Sequence, residues 1–590
     1  MSQIKKLIFG VKADTLEAFE RQARRAKAAG ATHVLVSQLP RSWWMWEKDF
    51  KDPYPNWCMG HAQIFKLVCP PQLEKYLPTD FIRECFELVQ ARCEILRRLG
   101  LKPAMHSNEP FWLPEEVYRD HPAWRGARCD HPRRATKPYY SPCVDNPEVL
   151  AMYRWAVGEL CRQTGIDYIT FMSNDSGGGL CWSNGTYPGP NGPEACRHRP
   201  MSERVCGFVN AITDGAKDAG VDLVVGFNAN IEFKDEEIGA NVAWHSARDG
   251  QIINGIDNRG NRPIAALNGH GEWIRGIPDL FRFAQSLGGA YASGKEYVTI
   301  HMPDTDFDED WAYLQDGLDA LPDHWTGYVA AVRAVAVRLV GEAYADALTD
   351  AFYNIYEGEL HFSHDGLGLI MYGCVHQRWI NRPFVLFPDE LTEQEKSYYR
   401  RFQFQALGEA QANDLMDMQN IECARGFSAA FLLGETAKKA IASLDQAIAK
   451  LSWIQTACGE AGVQEKCAML VRRLRVYQCL MRTCANASKF QELVDRTDFE
   501  FEPPLSCRWP TRNDPRIEEY QNITRAEIDN AYALADLIEG YEEKLFPVTD
   551  EAHEDIFTFG PHLAAQIRQK AEIMLNHQLD GNRVYERHNI

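Results

Sequence analysis

Along the first half of the chain, short unbroken runs of Val, Ile and Leu alternate with longer stretches in which apolar residues return every three or four positions and end on glycine. Leu7-Ile8-Phe9-Gly10-Val11 leads into the helical pattern Thr15 to Ala29, closed by Gly30. His33 to Ser37 leads through a long loop to Phe81 to Leu99 and Gly100. Leu101 to His106 leads through another long loop to Pro147 to Thr164 and Gly165. Ile166 to Met172 leads to Ser202 to Ala219 and Gly220, and Val221 to Phe227 follows. An unbroken apolar run marks a strand buried on both faces, and a glycine after a periodic stretch marks a left-handed helix C-cap. Strand and helix units repeated in this way build a parallel sheet through right-handed crossovers.

Two features choose a barrel over a doubly wound sheet. No glycine-rich dinucleotide fingerprint follows the first strand, and the long insertions come after strands, where a (β/α)8 TIM barrel builds its site. Ile264 to Leu267 is read as the sixth strand, Tyr297 to His301 as the seventh and Leu367 to Tyr372 as the strand that closes the ring. After Pro388 the pattern turns helical, with helices expected over Glu393 to Met418, Ala437 to Ala457, Gln464 to Phe490, Arg525 to Lys544 and Pro561 to Gln578. Pro503, Pro504, Pro510 and Pro515 mark a loop inside this region. The expected organisation is a catalytic barrel over 1–388 and an α-helical C-terminal domain over 389–590.

Composition narrows the function. With 63 Lys+Arg against 82 Asp+Glu, the net charge of -19 repels polyphosphate and anionic surfaces, so neither nucleic acid nor membrane is an expected partner. No apolar stretch is long enough to span a bilayer, and the run Leu7 to Val11 is too short for a secretory signal. The 17 Cys are scattered and contain no CxxC pair, which reads as reduced thiols in a cytoplasmic protein. No cofactor is expected and no local zinc motif occurs, although ligands gathered from distant segments would not show in a linear pattern. Homo-oligomerisation is left open.

The candidate chemistry sits after the strands. Trp43, Trp44 and Trp46 bunch on the second post-strand loop, offering flat apolar surface with a polar handle, which suits the faces of sugar rings. The third strand ends in Met105-His106-Ser107-Asn108-Glu109-Pro110, placing a His and a carboxylate at the mouth. The fourth ends in Asn174-Asp175-Ser176 before Gly177-Gly178-Gly179, where the glycines let the backbone approach a ligand. Asn268-Gly-His270-Gly-Glu272 and His301 follow later strands. A glycosidase needs two carboxyl groups across the scissile bond, and Asp175 with Glu272 is the favoured pair, Glu109 being the substitute for either. Trp43, Trp46 and Trp182 are assigned to sugar stacking, and His106, Asn174, Asn228, His270 and His301 to hydroxyl binding. Asp14 opens Asp14-Thr15-Leu16-Glu17, a capping-box pattern that makes it a helix N-cap.

The Asn174-Asp175-Ser176-Gly177 turn, the stretch Tyr187-Pro188-Gly189-Pro190-Asn191-Gly192 and a fifth strand ending at Asn228 resemble the central barrel of glycoside hydrolase family 67, the α-glucuronidases, and of related family 20-like barrels. The stretch His121 to Pro147 is similar to the loop that many barrel glycosidases insert after the third strand. The resemblance covers about 95–275 and implies a glycosidase acting on a carbohydrate, with an acidic sugar in view. Gly177 stands where such enzymes carry an acid Glu, so Asp175 or a carboxylate from another strand must serve. An inverting sialidase-type barrel using Asp14 and His131, with Arg128 among the arginines holding a substrate carboxylate, is one alternative. A metal-dependent isomerase or lyase with His106, Glu109, Asp175 and His270 as ligands is another, and a carbohydrate-binding barrel without activity is the third.

Overall fold

The computed structural model describes residues 4–43, 60–130, 137–173, 177–183, 191–227, 252–254, 274–292, 296–301, 325–364, 379–401, 426–496, 515–554 and 559–582. Seven strands, β1 (Lys6–Gly10), β2 (His33–Leu35), β3 (Lys102–Asn108), β4 (Tyr168–Met172), β5 (Val224–Phe227), β6 (Ile252–Asn254) and β7 (Tyr297–His301), form one curled sheet in the order β6-β5-β4-β3-β2-β1-β7. Every pairing in it is parallel. This is the (β/α)8 architecture, open between β6 and β7 among the described residues.

Two strand places differ from the sequence pattern. The position beside β5 belongs to Ile252–Asn254, three residues too short to stand out as an apolar run. β7 pairs with β1 over its whole length, Lys6 opposite Tyr297 and Gly10 opposite His301. Both edges of β1 are thus taken by β2 and β7, and the closing place expected for Leu367 to Tyr372 is filled by Tyr297–His301. Ile264 to Leu267 and Leu367 to Tyr372 lie outside the described residues.

Helices α1 (Leu16–Ala28), α2 (Thr79–Leu99), α3 (Pro147–Thr164) and α4 (Met201–Asp218) fall within two residues of the expected bounds. The caps explain why. Asn146 accepts from the amides of Glu148 and Val149, Pro147 occupies the first turn of α3, and Gly165 closes it at a φ of +74°. At α1 the N-cap is Thr15, whose side chain accepts from the Ala18 amide at 3.2 Å. The capping role read for Asp14 is therefore one residue out of register.

One residue from each of five strands, Ile8, Leu35, Ala104, Tyr168 and Val224, forms a buried cluster, with Tyr297 of β7 packed against it. Alternate residues face the helices, as with Phe9, whose ring lies 6.1 Å from that of Phe283. At the N-terminal ends of the strands, Asp167 receives His33 Nε2 at 2.8 Å, Lys6 Nζ at 2.9 Å and Lys102 Nζ at 3.0 Å. Burial opposes the Asp167 charge, but these three partners outweigh it and hold the carboxyl below its ordinary range. A depressed carboxylate stabilises the fold above its unfolded pKa of about 3.9, and that stabilisation is lost as pH falls through the folded value. Asp167→Asn should therefore destabilise the protein at pH 7 and flatten the loss of urea resistance below about pH 4. Equal acid slopes in the two proteins would contradict this.

The contacts divide the chain into two units, the first comprising 1–265, 283–302 and 309–328 and the second 266–282, 303–308 and 329–590. Among the described residues the second is mainly helical. Its helices include Glu342–His364, Gly426–Ala457, Ala461–Arg496, Pro515–Ile538 and Leu563–Asn576, each packed on the next. The helix expected from Arg525 begins ten residues earlier at Pro515, because proline fits the first helical turn.

Candidate active site at the carboxyl ends of the strands

The site region starts where β2 and β3 end. Ser37 is fully buried and joins them, donating from Oγ to the His106 carbonyl at 2.7 Å and accepting from the His106 amide at 2.9 Å. Arg92 of α2, also buried, donates to the carbonyls of Ala13, Val36 and Gln38, tying together the chain that leaves β1 and β2. His106 is half-buried, and the His61 ring meets it edge-on at 4.8 Å. His61 follows the Trp-rich loop and belongs to no periodic pattern, so nothing in the linear sequence marked it.

Glu109 is wholly buried and saturated. Oε1 accepts from the Ile64 amide and Ser107 Oγ, both at 2.8 Å, and Oε2 accepts from the Phe111 amide at 3.2 Å and Tyr153 Oη at 2.9 Å. Burial raises its pKa to about 6 against these four donors. With every donor drawn from the protein, this carboxylate anchors the chain leaving β3 to α3 and to the turn Ile64–Leu67.

The glycine run pairs with the same segment. Phe111 and Gly178 form an isolated bridge, the Trp112 amide donates to the Gly177 carbonyl at 2.9 Å, and the Gly179 amide to the Pro110 carbonyl at 3.1 Å. A Cβ on Gly178 would stand 3.3 Å from the Glu109 nitrogen. Gly177, at φ +87°, turns the chain there. The close approach that the glycines permit is to the β3 loop.

Two more candidate residues have partners within the chain. The Arg128 guanidinium is held by Asp130, Nε to Oδ1 at 2.7 Å and Nη2 to Oδ2 at 2.9 Å, a bidentate pair within the loop. Trp182 donates its indole N–H to the Pro193 carbonyl at 3.0 Å, and the Arg197 guanidinium lies 5.0 Å from its ring. Trp43 ends the turn Arg41–Trp43 and is half-buried. His301 ends β7 opposite Gly10. Asp14, beyond β1, interacts electrostatically with buried Arg92. Trp46, His131, Asn174, Asp175, Asn228, His270 and Glu272 lie outside the described residues.

On neighbouring strand ends, Asn108 Oδ1 and Ser173 Oγ are buried with no hydrogen-bond partner among the described residues. Asn108 stands opposite Met172 in the ladder, so Ser173 is the next residue along. An acceptor and a hydroxyl left in this way at a barrel mouth suit a ligand rich in hydroxyl groups.

No known family model matches the chain, and no curated protein sequence matches it. Among solved structures it is similar to a glycoside hydrolase family 138 enzyme targeting the pectin rhamnogalacturonan II, at a TM-score of 0.50 and 10% identity, over 99% of this chain and 68% of the other. It also matches a family 36 α-galactosidase from Geobacillus stearothermophilus, with a TM-score of 0.30 and 10% identity, over 54% and 42%. A family 20 β-N-acetylglucosaminidase matches with a TM-score of 0.24 and 10% identity, over 43% and 52%. The first of these likenesses shows the fold alone: the chain shares the fold of that structure.

Proposed function

We propose that the protein is a glycoside hydrolase that cleaves a small oligosaccharide or glycoside with paired carboxylates. The observation that carries this reading is that Asn108 Oδ1 and Ser173 Oγ, on the strand ends next to His106, are buried with no hydrogen-bond partner among the described residues. The likeness of fold to an enzyme targeting a pectin supports a plant-type polysaccharide fragment as the substrate class. Family 67 remains a finer reading, resting on the Asn174 to Gly177 turn.

In this reading Asp175 protonates the leaving oxygen and Glu272 serves as base or nucleophile. Their separation sets the outcome, about 5 Å giving retention and about 6.5 Å or more giving inversion. Glu109 holds the loop that presents His106, and a carbohydrate is the only partner the reading requires.

The test is hydrolysis of a panel of chromogenic glycosides and pectic oligosaccharides, uronides included. Asp175→Asn should lower kcat by about 10²–10⁴-fold on any aryl glycoside with a poor leaving group. Turnover equal to wild type in that variant would remove Asp175 as the acid. Absence of turnover on the whole panel, with binding retained, would favour a carbohydrate-binding barrel.

A further inference from the structure

The residues left over by this reading include a trio of thiols. Cys143, Cys181 and Cys196 come from three separate stretches of chain, yet their sulfur atoms all lie within 4.8 Å of one another and all three residues are buried. Cys143 precedes the N-cap of α3, Cys181 follows the glycine run, and Cys196 ends the turn Glu194–Cys196 ahead of α4. None belongs to a CxxC pair, so folding alone assembles the group.

We propose that Cys143, Cys181 and Cys196 bind one zinc ion that staples the loop after β3 to the loop after β4. Tetrahedral zinc with Zn–S bonds of about 2.3 Å places its sulfurs about 3.8 Å apart, so the trio needs only to contract slightly. Soft thiolates select zinc over magnesium, calcium or manganese. Three sulfurs leave one tetrahedral position to a ligand of another kind.

The surroundings favour an anionic thiolate group over three packed thiols. Arg204 is 2% exposed and lies among them, donating from Nη1 to the Cys181 carbonyl at 2.9 Å and from Nε to Asp145 Oδ2 at 2.5 Å. Its Nη2 is buried with no hydrogen-bond partner among the described residues. Asp145 is shared by Arg204 and Arg199, whose Nη1 reaches Oδ1 at 2.9 Å, so two guanidinium charges against one carboxylate leave one positive charge to balance the net -1 of three thiolates and one Zn²⁺. Binding sends the three thiol protons to solvent, and no oxidant is needed. A disulfide would use two sulfurs and leave the third buried beside it, so a three-fold cluster points away from that use.

The staple would act on both loops that bear candidate residues, Glu109 on one and Asp175 on the other, and it holds whether or not the protein cleaves glycosidic bonds. The test uses the full chain, purified under reducing conditions without a polyhistidine tag. Elemental analysis should find one zinc per chain. After chelation, Co²⁺ should restore a near-ultraviolet thiolate-to-cobalt band that saturates at one equivalent and is displaced by Zn²⁺. Cys181→Ser should weaken Co²⁺ binding by more than the ~10–100-fold that a lost outer-shell partner costs. Cys85→Ser, a buried thiol of α2, should leave it unchanged. The cobalt titration of the wild-type chain does not depend on any variant folding. No band in the folded wild type, a band that survives Cys181→Ser, copper or iron in place of zinc, or a disulfide within the trio by peptide mapping would each overturn the proposal.

Discussion

Glu109→Ala is expected to destabilise the first unit by about 4 kcal/mol or more, since it leaves four buried neutral donors unsatisfied at about 1–3 kcal/mol each. The reason lies in what it leaves behind. The amides of Ile64 and Phe111 and the hydroxyls of Ser107 and Tyr153 all point at this carboxylate, and all four residues are buried. The pH dependence has a definite sign. Because the folded pKa is raised to about 6, the folded protein binds the extra proton, and the contribution is full below about 4.5 and lost as pH rises through 6. Glu109→Gln lacks that titration, so its penalty should be larger at pH 4.5 than at pH 7, by on the order of 2 kcal/mol. Urea unfolding at the two pH values measures both effects. A penalty that grows with pH would mean that the four donors, and not burial, govern the group.

The second large effect is expected in the helical unit. Lys570 and Glu527 are fully buried, and their charges meet at 2.6 Å. Glu527 also accepts from Thr483 at 2.8 Å and Asn486 at 2.9 Å, and Lys570 donates to the Trp379 carbonyl at 2.8 Å. Burial lowers the Lys570 pKa and Glu527 opposes it. Lys570→Met strands an unpaired carboxylate and should cost about 3–5 kcal/mol. Lys570→Met combined with Glu527→Gln removes both charges while keeping an acceptor for Thr483, and should recover most of that loss. Chemical denaturation followed by far-ultraviolet circular dichroism reads the cycle. A double variant as unstable as the sum of the two single changes would show that the pair is not coupled.

The parts of the site that were legible in the sequence are those set by neighbours along the chain. His106 and Glu109 stand at the end of β3 because an apolar run followed by polar residues announces a strand end. What Glu109 does was not legible, since Ile64 and Tyr153, two of its four partners, lie more than forty positions away in either direction. Arg128 was offered to a substrate carboxylate in one alternative, and its pairing with Asp130 was not legible because a sequence does not tell which charges meet. The three cysteines carried no spacing signal at all, their separations being set by how two loops cross.

The sequence by itself determined the repeating elements, from the strand at Lys6–Gly10 to the helix at Met201–Asp218, and their parallel class. Period, cap and glycine are local properties, and each acts within about one turn of its own residue. Only the tertiary structure decided that Tyr297–His301 closes on β1, that Ile252–Asn254 stands beside β5, that Glu109 is saturated, and that Cys143, Cys181 and Cys196 converge. Those outcomes depend on which distant surfaces exclude water together, a property of the folded chain as a whole.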